Sequence, residues 1–441
     1  MDYDVAHPRS SPHYADFGET PVDWHYCRLG DVLREVDVRV RDLEGCDADK
    51  VPVLSLTKNQ GLMLQSERFH NRIATEDLSA YKVVRYGWIV YNPFVIWEGA
   101  ICGLTRMEQG VVSPAYPVWE ADGTSPQFLN YLLRTSTMLE TYSRLSSGAV
   151  NRRRSIRKAD FLDIGVNLPL LAEQRAIARV LWLAQSALEA TEAVIAATRE
   201  LKKSLMRHLF TYGPVPVQDA ERVVLRETKI GSVPEHWAIA PLEHLAFVQT
   251  GVAKGRRLNA TSSVTLPYLR VANVQDGYLD LSEMKTIEID ARELPRYRLE
   301  RGDVVLTEGG DFDKLGRGFV WRGQIEKCVH QNHVFAVRVD RQRLLPDYVA
   351  YLAQSAYGKS YFLTVAHRTT HLACINSAKL KALPVPVPPL EEQQAMIDTL
   401  EAADRKIGAE EGRKQALEAL FNSLLHNLMT GKVRVPPSTG G

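Results

Sequence analysis

No Cys-x-x-Cys pair occurs in the 441 residues, and the five cysteines, Cys27, Cys46, Cys102, Cys328 and Cys374, are odd in number and far apart. That spacing argues against a disulfide framework or a zinc site and fits reduced thiols in a cytoplasmic protein. There is no run of about 18 uninterrupted apolar residues, so no membrane span is predicted. The opening Met1-Asp2-Tyr3-Asp4-Val5-Ala6-His7-Pro8 lacks the basic start and apolar core of a signal peptide. Catalytic signatures are equally scarce: Gly-x-x-x-x-Gly-Lys-Ser/Thr, Gly-x-Gly-x-x-Gly after a strand, Gly-x-Ser-x-Gly and His-Glu-x-x-His are all missing. A net charge of only +1 leaves the choice of partner open, because a nucleic-acid binder need only concentrate its cations locally.

What the chain does have is a second copy of itself. Leu168-Pro169-Leu170-Leu171-Ala172-Glu173-Gln174 returns as Val387-Pro388-Pro389-Leu390-Glu391-Glu392-Gln393, and Leu201-Lys202-Lys203-Ser204-Leu205 returns as Leu420-Phe421-Asn422-Ser423-Leu424, 219 residues later. Solenoid repeats run about 20 to 50 residues, so this period describes two whole modules. The match extends upstream. Val51–Leu56 pairs with Leu266–Val271, Tyr86–Tyr91 with Arg301–Leu306, Ser113–Val118 with Asn332–Val337, and Pro126–Leu132 with Pro346–Leu352. The second pair reads as a turn feeding a buried strand, and the last as a helix with Pro in its first turn. Each globular part is therefore expected to mix strands and helices, and 45% hydrophobic with 24% charged residues suits two folded cores.

Each copy ends in a heptad stripe. Ile177, Leu181, Ala184, Leu188, Thr191, Ile195, Thr198, Lys202, Leu205 and Leu209 form one seam; Met396, Leu400, Ala403, Ile407, Glu410, Lys414, Leu417, Phe421, Leu424 and Leu428 form the other. A 3.5-residue repeat held for about five heptads is a coiled-coil pattern, weakest here at its polar centre. A helix of about 40 residues is about 60 Å long and does not survive alone with an exposed apolar stripe. The nearest partner for each is the other copy. Antiparallel pairing then predicts an α+β chain of two similar mixed α/β domains, separated by a two-helix coiled coil with an internal pseudo-two-fold. The expected boundaries are domain 1 at 1–168, long helix 1 at 169–212, a linker at 213–233, domain 2 at 234–387, long helix 2 at 388–431 and a tail at 432–441.

Two motifs hint at chemistry. Asn92-Pro93-Phe94 is similar to the Asn-Pro-Pro-Tyr/Phe loop of adenine methyltransferases, but one proline is missing and no glycine-rich cofactor motif precedes it. Asp280 with Glu283-Met284-Lys285 follows a nuclease-like spacing that is common by chance and absent from the other copy. His330, His333 and His371 are better read as structural or DNA-facing than as metal ligands. No metal site and no catalytic residue is expected.

The junction Pro388-Pro389-Leu390-Glu391-Glu392-Gln393-Gln394, its twin at Pro169–Gln174, and Val233-Pro234-Glu235-His236-Trp237 together resemble the specificity subunits of type I restriction–modification enzymes. The first copy departs modestly, with Leu170 in place of Pro389 and the shortened opening Pro21-Val22-Asp23-Trp24. The resemblance covers all but about the first 20 residues. It implies two target-recognition domains reading the halves of an asymmetric split site in double-stranded DNA, with the coiled coil fixing the gap. It implies too that two methyltransferase subunits dock on the chain, that motor-nuclease subunits join for cleavage, and that S-adenosylmethionine, ATP and magnesium belong to those partners. The chain itself would take no cofactor and catalyse nothing.

Polar and basic loops between the framework strands supply the candidate DNA contacts: Lys58, Asn59 and Gln60, with Arg152, Arg153 and Arg154, in the first domain; Lys254, Arg256, Arg257, Lys314, Arg317, Arg368, Thr370 and His371 in the second. Arginine grips guanine bidentately and Asn or Gln reads adenine. The Arg152–Lys158 cluster has an alternative use in pairing with acidic groups of a methyltransferase subunit. A rival from another class is a coiled-coil adaptor whose two end domains bind proteins.

Overall fold

The computed structural model describes residues 13–43, 51–58, 61–68, 77–147, 154–228, 231–255, 262–310, 315–368 and 373–436. Two compact units divide the chain: Met1–Thr191 with Arg413–Gly441, and Glu192–Gly412. The division cuts through both long helices, Leu171–Tyr212 and Leu390–Met429, so each unit owns one half of each.

In the first unit a four-stranded antiparallel sheet takes the order Leu33–Val36, Val118–Ala121, Ile89–Tyr91, Ile101–Gly103. In the second, Ala246–Thr250, Val334–Val339, Val304–Thr307 and Gly318–Val320 repeat it strand for strand. The central strands are runs of Ile, Val and Leu buried on both faces, the composition that suits a covered sheet. Gly87 (φ +83°) and Gly302 (φ +100°) stand at the same place, the left-handed turn that feeds the central strand in each copy. Strand pairing corrects the sequence match by one residue. Val90 faces Val118 while Val305 faces Ala336, so Val118 corresponds to Ala336 and not to Val337. Pro117 has no N–H to give the ladder, and the first-unit strand starts only after it.

Each domain is closed by its own ends. His25–Arg28 pairs antiparallel with Gly165–Leu168, and Ala238–Pro241 with Pro384–Val387; each second strand leads directly into a long helix. The repeated glutamine of the junction explains why that sequence occurs twice. Gln174 is buried, its Oε1 accepts from Ser125 N (2.8 Å) and Thr124 Oγ1 (2.7 Å), and its Nε2 donates to Pro169 O (2.9 Å). Gln393 accepts from Leu345 N and donates to Arg343 O and Pro388 O, all at 2.9 Å. Both amides pin the first turn of a long helix to the residues that start the short helices Pro126–Leu132 and Pro346–Gln354.

The glutamate beside each amide marks where the copies diverge. Glu392 accepts from Trp237 Nε1 and His236 Nε2, both at 2.9 Å. In the first unit the residue aligned with His236 is Asp23, and two facing carboxylates need a cation between them. Arg434, from the segment after the second long helix, bridges Glu173 (2.6 Å) and Asp23 (2.7 Å).

The heptad positions lie inward. None of the twenty seam residues is exposed. In the first unit Ile177 and Leu181 share a core with Leu428, against which Phe421 and Leu424 pack; Leu188 and Leu417 are half-buried. In the second unit Leu209, Met396 and Leu400 share a core with Leu205 packed on it; Ile195 is buried and Ile407 half-buried. The start of one helix thus meets the end of the other within each unit, an antiparallel pairing. Near the polar centre, on the second unit's side, Arg199–Glu411 and Lys202–Asp404 ion pairs at 2.6 Å join the helices. One stretch of the first long helix is apolar and long enough to cross a membrane by length and composition alone, and 22% of that stretch is buried; along the helix's seam Ile177, Leu181 and Ile195 are buried by protein.

Gln393→Ala leaves one buried N–H and two carbonyls without their partner and is expected to cost about 1–3 kcal/mol. Gln394→Ala, on the exposed face, changes stability by less than about 0.5 kcal/mol. Equal denaturation midpoints for the two variants contradict the clamp.

Candidate nucleic-acid interface

The antiparallel registers decide which loops gather at one end of each sheet. In the second unit Thr250 faces Phe335, Thr307 faces Val334 and Leu306 faces Gly318, so the described residues 251–255, 308–310, 315–317 and 331–333 all leave or enter the same end. The two-residue strand Gly309–Gly310 pairs with Ala373–Cys374, which pairs in turn with His367–Arg368. The sequence candidates Lys254, Arg317 and Arg368 therefore belong to a single end of the sheet. Arg256, Arg257, Lys314, Thr370 and His371 lie outside the described residues, although their described flanks, Gly255, Gly310, Leu315, Arg368 and Ala373, sit at that same end.

The roles of these side chains differ. Lys254 is exposed, its ammonium 5.7 Å from the Tyr268 ring centre, and is available to a phosphate. Arg317 is half-buried and its Nη1 donates to Gln275 Oε1 at 3.0 Å, so it braces the turn it stands in. A polar group that sequence reasoning passed over sits among them. Glu308 accepts from His333 Nδ1 at 2.5 Å, and Asn332 Nδ2 lies 3.3 Å from His333 Nε2. With the proton assigned to Nδ1 by the carboxylate, Nε2 is the acceptor for Asn332. The signal in the sequence was an Asn-His pair in a two-strand turn opposite a glutamate that ends a buried strand. His330, by contrast, is fully buried, hydrogen-bonded to Val334 O at 2.6 Å, and burial lowers its pKa; it is a neutral core residue.

In the first unit the corresponding end carries the loop Asn92–Ala100. Both first-domain candidate segments are tied to it. Lys58 pairs with Glu98, and the guanidinium of Arg154 lies 5.1 Å from the Trp97 ring centre while donating to Ser146 O at 3.2 Å. Ile156 N reaches Pro93 O at 3.3 Å, as Ile375 N reaches Glu308 O at 2.9 Å in the other copy. Asn59, Gln60, Arg152 and Arg153 lie outside the described residues. Two other cations of the same cluster are neutralised internally, Arg157 by Asp160 (2.7 Å) and Lys158 by Glu35 (2.6 Å).

The motifs that hinted at chemistry have local structural partners. Asn92 Oδ1 accepts from Phe94 N (3.0 Å) and its Nδ2 donates to Tyr116 Oη (3.1 Å), an Asx turn that fixes the loop. Asp280 accepts from Ser282 N and Oγ, and Glu283 pairs with Lys285 and Arg270. Among the described residues no cluster of His, Cys, Asp and Glu has the makings of a metal site. Cys27, Cys102 and Cys328 are buried and unpaired; burial pushes the thiols of Cys27 and Cys328 up to about 12. What remains at each sheet end is a cluster of loops with cations and amides, suited to gripping a polyanion and reading hydrogen-bonding edges.

Residues 234–419 match the family described as type I restriction modification DNA specificity domain. The specificity subunit of the MjaVIII type I restriction enzyme of Methanocaldococcus jannaschii is 23% identical over 434 residues, 94% of each chain. That of the EcoKI enzyme of Escherichia coli is 24% identical over 383 residues, 82% of this chain and 74% of the relative. A protein assigned as the MjaX specificity subunit of M. jannaschii is 25% identical over 207 residues, and there the match spans 48% of the relative's length. The fold is similar to that of the type I restriction–modification S subunit from M. genitalium, with a TM-score of 0.54 at 13% identity over 92% of this chain and 96% of that one.

If Lys254 contacts phosphate, Lys254→Ala weakens duplex binding about equally for all sequences and lowers the salt slope by about 1. Salt titration of binding to two unrelated duplexes checks this; a loss confined to one base position makes Lys254 a base reader.

Proposed function

We propose that this chain is a member of the type I restriction–modification DNA specificity family, whose model its residues 234–419 match, and that it is the sequence-reading subunit of a modification complex. It binds double-stranded DNA through the two sheet ends and docks two methyltransferase subunits, with motor-nuclease subunits added where cleavage occurs. S-adenosylmethionine, ATP and magnesium are then held by those partners. This chain selects the site, and methyl transfer belongs to the partners.

One observation carries the reading: the same device is built twice with different side chains. Lys254 and the Glu308–His333–Asn332 group occupy one sheet end, and Lys58, Asn92, Trp97 and Arg154 occupy its counterpart. Twin frameworks with unlike loops call for two half-sites of unlike sequence, since base edges are read by the loops and the framework only presents them. Each unit contains one half of each long helix, and in the proposed reading those helices set the gap between half-sites.

Reconstituting the chain with its methyltransferase subunit and mapping methylated adenines tests this. The expected target is two different short half-sites at one constant gap. A palindrome, or a gap that varies from site to site, contradicts it.

A further inference from the structure

At the opposite end of each sheet, away from the loops described above, the long helix and the preceding short helix enclose a groove of about 400 Å³ in the first unit and about 410 Å³ in the second. The two grooves are counterparts. Tyr131 and Gln185 floor the first, Tyr351 and Asp404 the second, and in each the tyrosine hydroxyl donates to the helix residue, at 3.1 and 2.8 Å.

Their walls have opposite chemistry. In the second groove the charges satisfy one another: Arg322 pairs with Asp347 and lies 3.9 Å from Glu401, Arg405 lies 3.3 Å from Glu401, and Asp404 holds Lys202 at 2.6 Å. In the first groove Trp182 stands where the second has Glu401, and it is 59% exposed. Arg175 and Arg179, two turns and one turn before it, are exposed and have no ion-pair partner among the described residues. Only Arg106 is answered, by Glu189 at 3.7 Å. An exposed Trp flanked by unanswered arginines over a volume of this size is the composition of an interface anchor point. The partner that complements it is an acidic protein segment bearing an apolar side chain for Trp182.

We propose that the first-unit groove docks an acidic, apolar-anchored segment of a methyltransferase subunit, that the second-unit groove is not an equivalent site, and that the two partner copies are therefore held unequally. This rests on the functional reading above. Its position across the sheet from the candidate DNA loops favours protein over nucleic acid as the occupant.

Native mass spectrometry of the full chain with the methyltransferase subunit tests the proposal, with variants Arg175→Glu/Arg179→Glu and Trp182→Ala, and Glu401→Gln/Arg405→Gln as the counterpart control. Wild type and control hold two partner copies. Each first-groove variant, with unchanged melting, holds one copy at concentrations where wild type holds two, a loss of at least about tenfold in one affinity. Retention of two copies within about twofold of wild-type affinity, or an equal loss in the control, overturns the inference. So does weakened duplex binding with partner stoichiometry intact, which makes the groove a nucleic-acid surface. Wild-type chain that binds no methyltransferase subunit defeats the functional reading itself, and this inference falls with it.

Discussion

The first unit cannot complete its apolar core from one continuous stretch of chain, whereas the second is built from Glu192–Gly412 alone. Residues from Ala15 to Leu181 build a core that Leu428 and Met429 fill from the far end of the sequence, and the second core takes Leu209 and Phe210 from the helix that begins beside the first domain. Burial of these side chains is worth about 1.5–3 kcal/mol each relative to exposure. The returning end of the second long helix is thus a condition of stability for the first unit. Each framework is fixed to the long helices through a buried glutamine.

The duplication also shows what is constrained and what is free to drift. Gln174 and Gln393 keep two bonds in common, accepting from the backbone N–H that precedes the short helix and donating to the carbonyl of Pro169 or Pro388, because losing either strands a buried backbone group; the third partner differs, Thr124 Oγ1 in one copy and Arg343 O in the other. The neighbouring glutamates keep their place but change partners, from His236 and Trp237 in one copy to Arg434 in the other. At the sheet ends and in the grooves, where solvent supplies an alternative partner for every polar group, the copies differ most. Those are the surfaces that the proposed function assigns to partners.

Much of the fold was legible in the sequence because it rests on periodicity. The 3.5-residue stripe, the Pro-initiated short helices and the Gly-started buried strands each impose a local pattern that burial preserves. The one-residue slip at Val118 arose because the segments between the paired strands differ in length, 28 residues from Val90 to Val118 against 31 from Val305 to Ala336, and apolar matching alone does not fix where that difference falls. Site residues were harder. Composition marks Lys254 and Arg317 alike as basic loop residues, yet Gln275, 42 positions away, makes Arg317 a brace. The group Glu308, Asn332 and His333 depends on two strands lying side by side, and the contrast between Trp182 and Glu401 matters only once both are seen to line matching grooves.

Removing residues 413–441 and following amide hydrogen exchange tests the interlaced cores most directly. The account predicts that amides of Ile89–Tyr91 and of the first long helix up to Thr191 lose protection, while Val304–Thr307 in the second unit retains it. Unchanged protection throughout the first unit would contradict it.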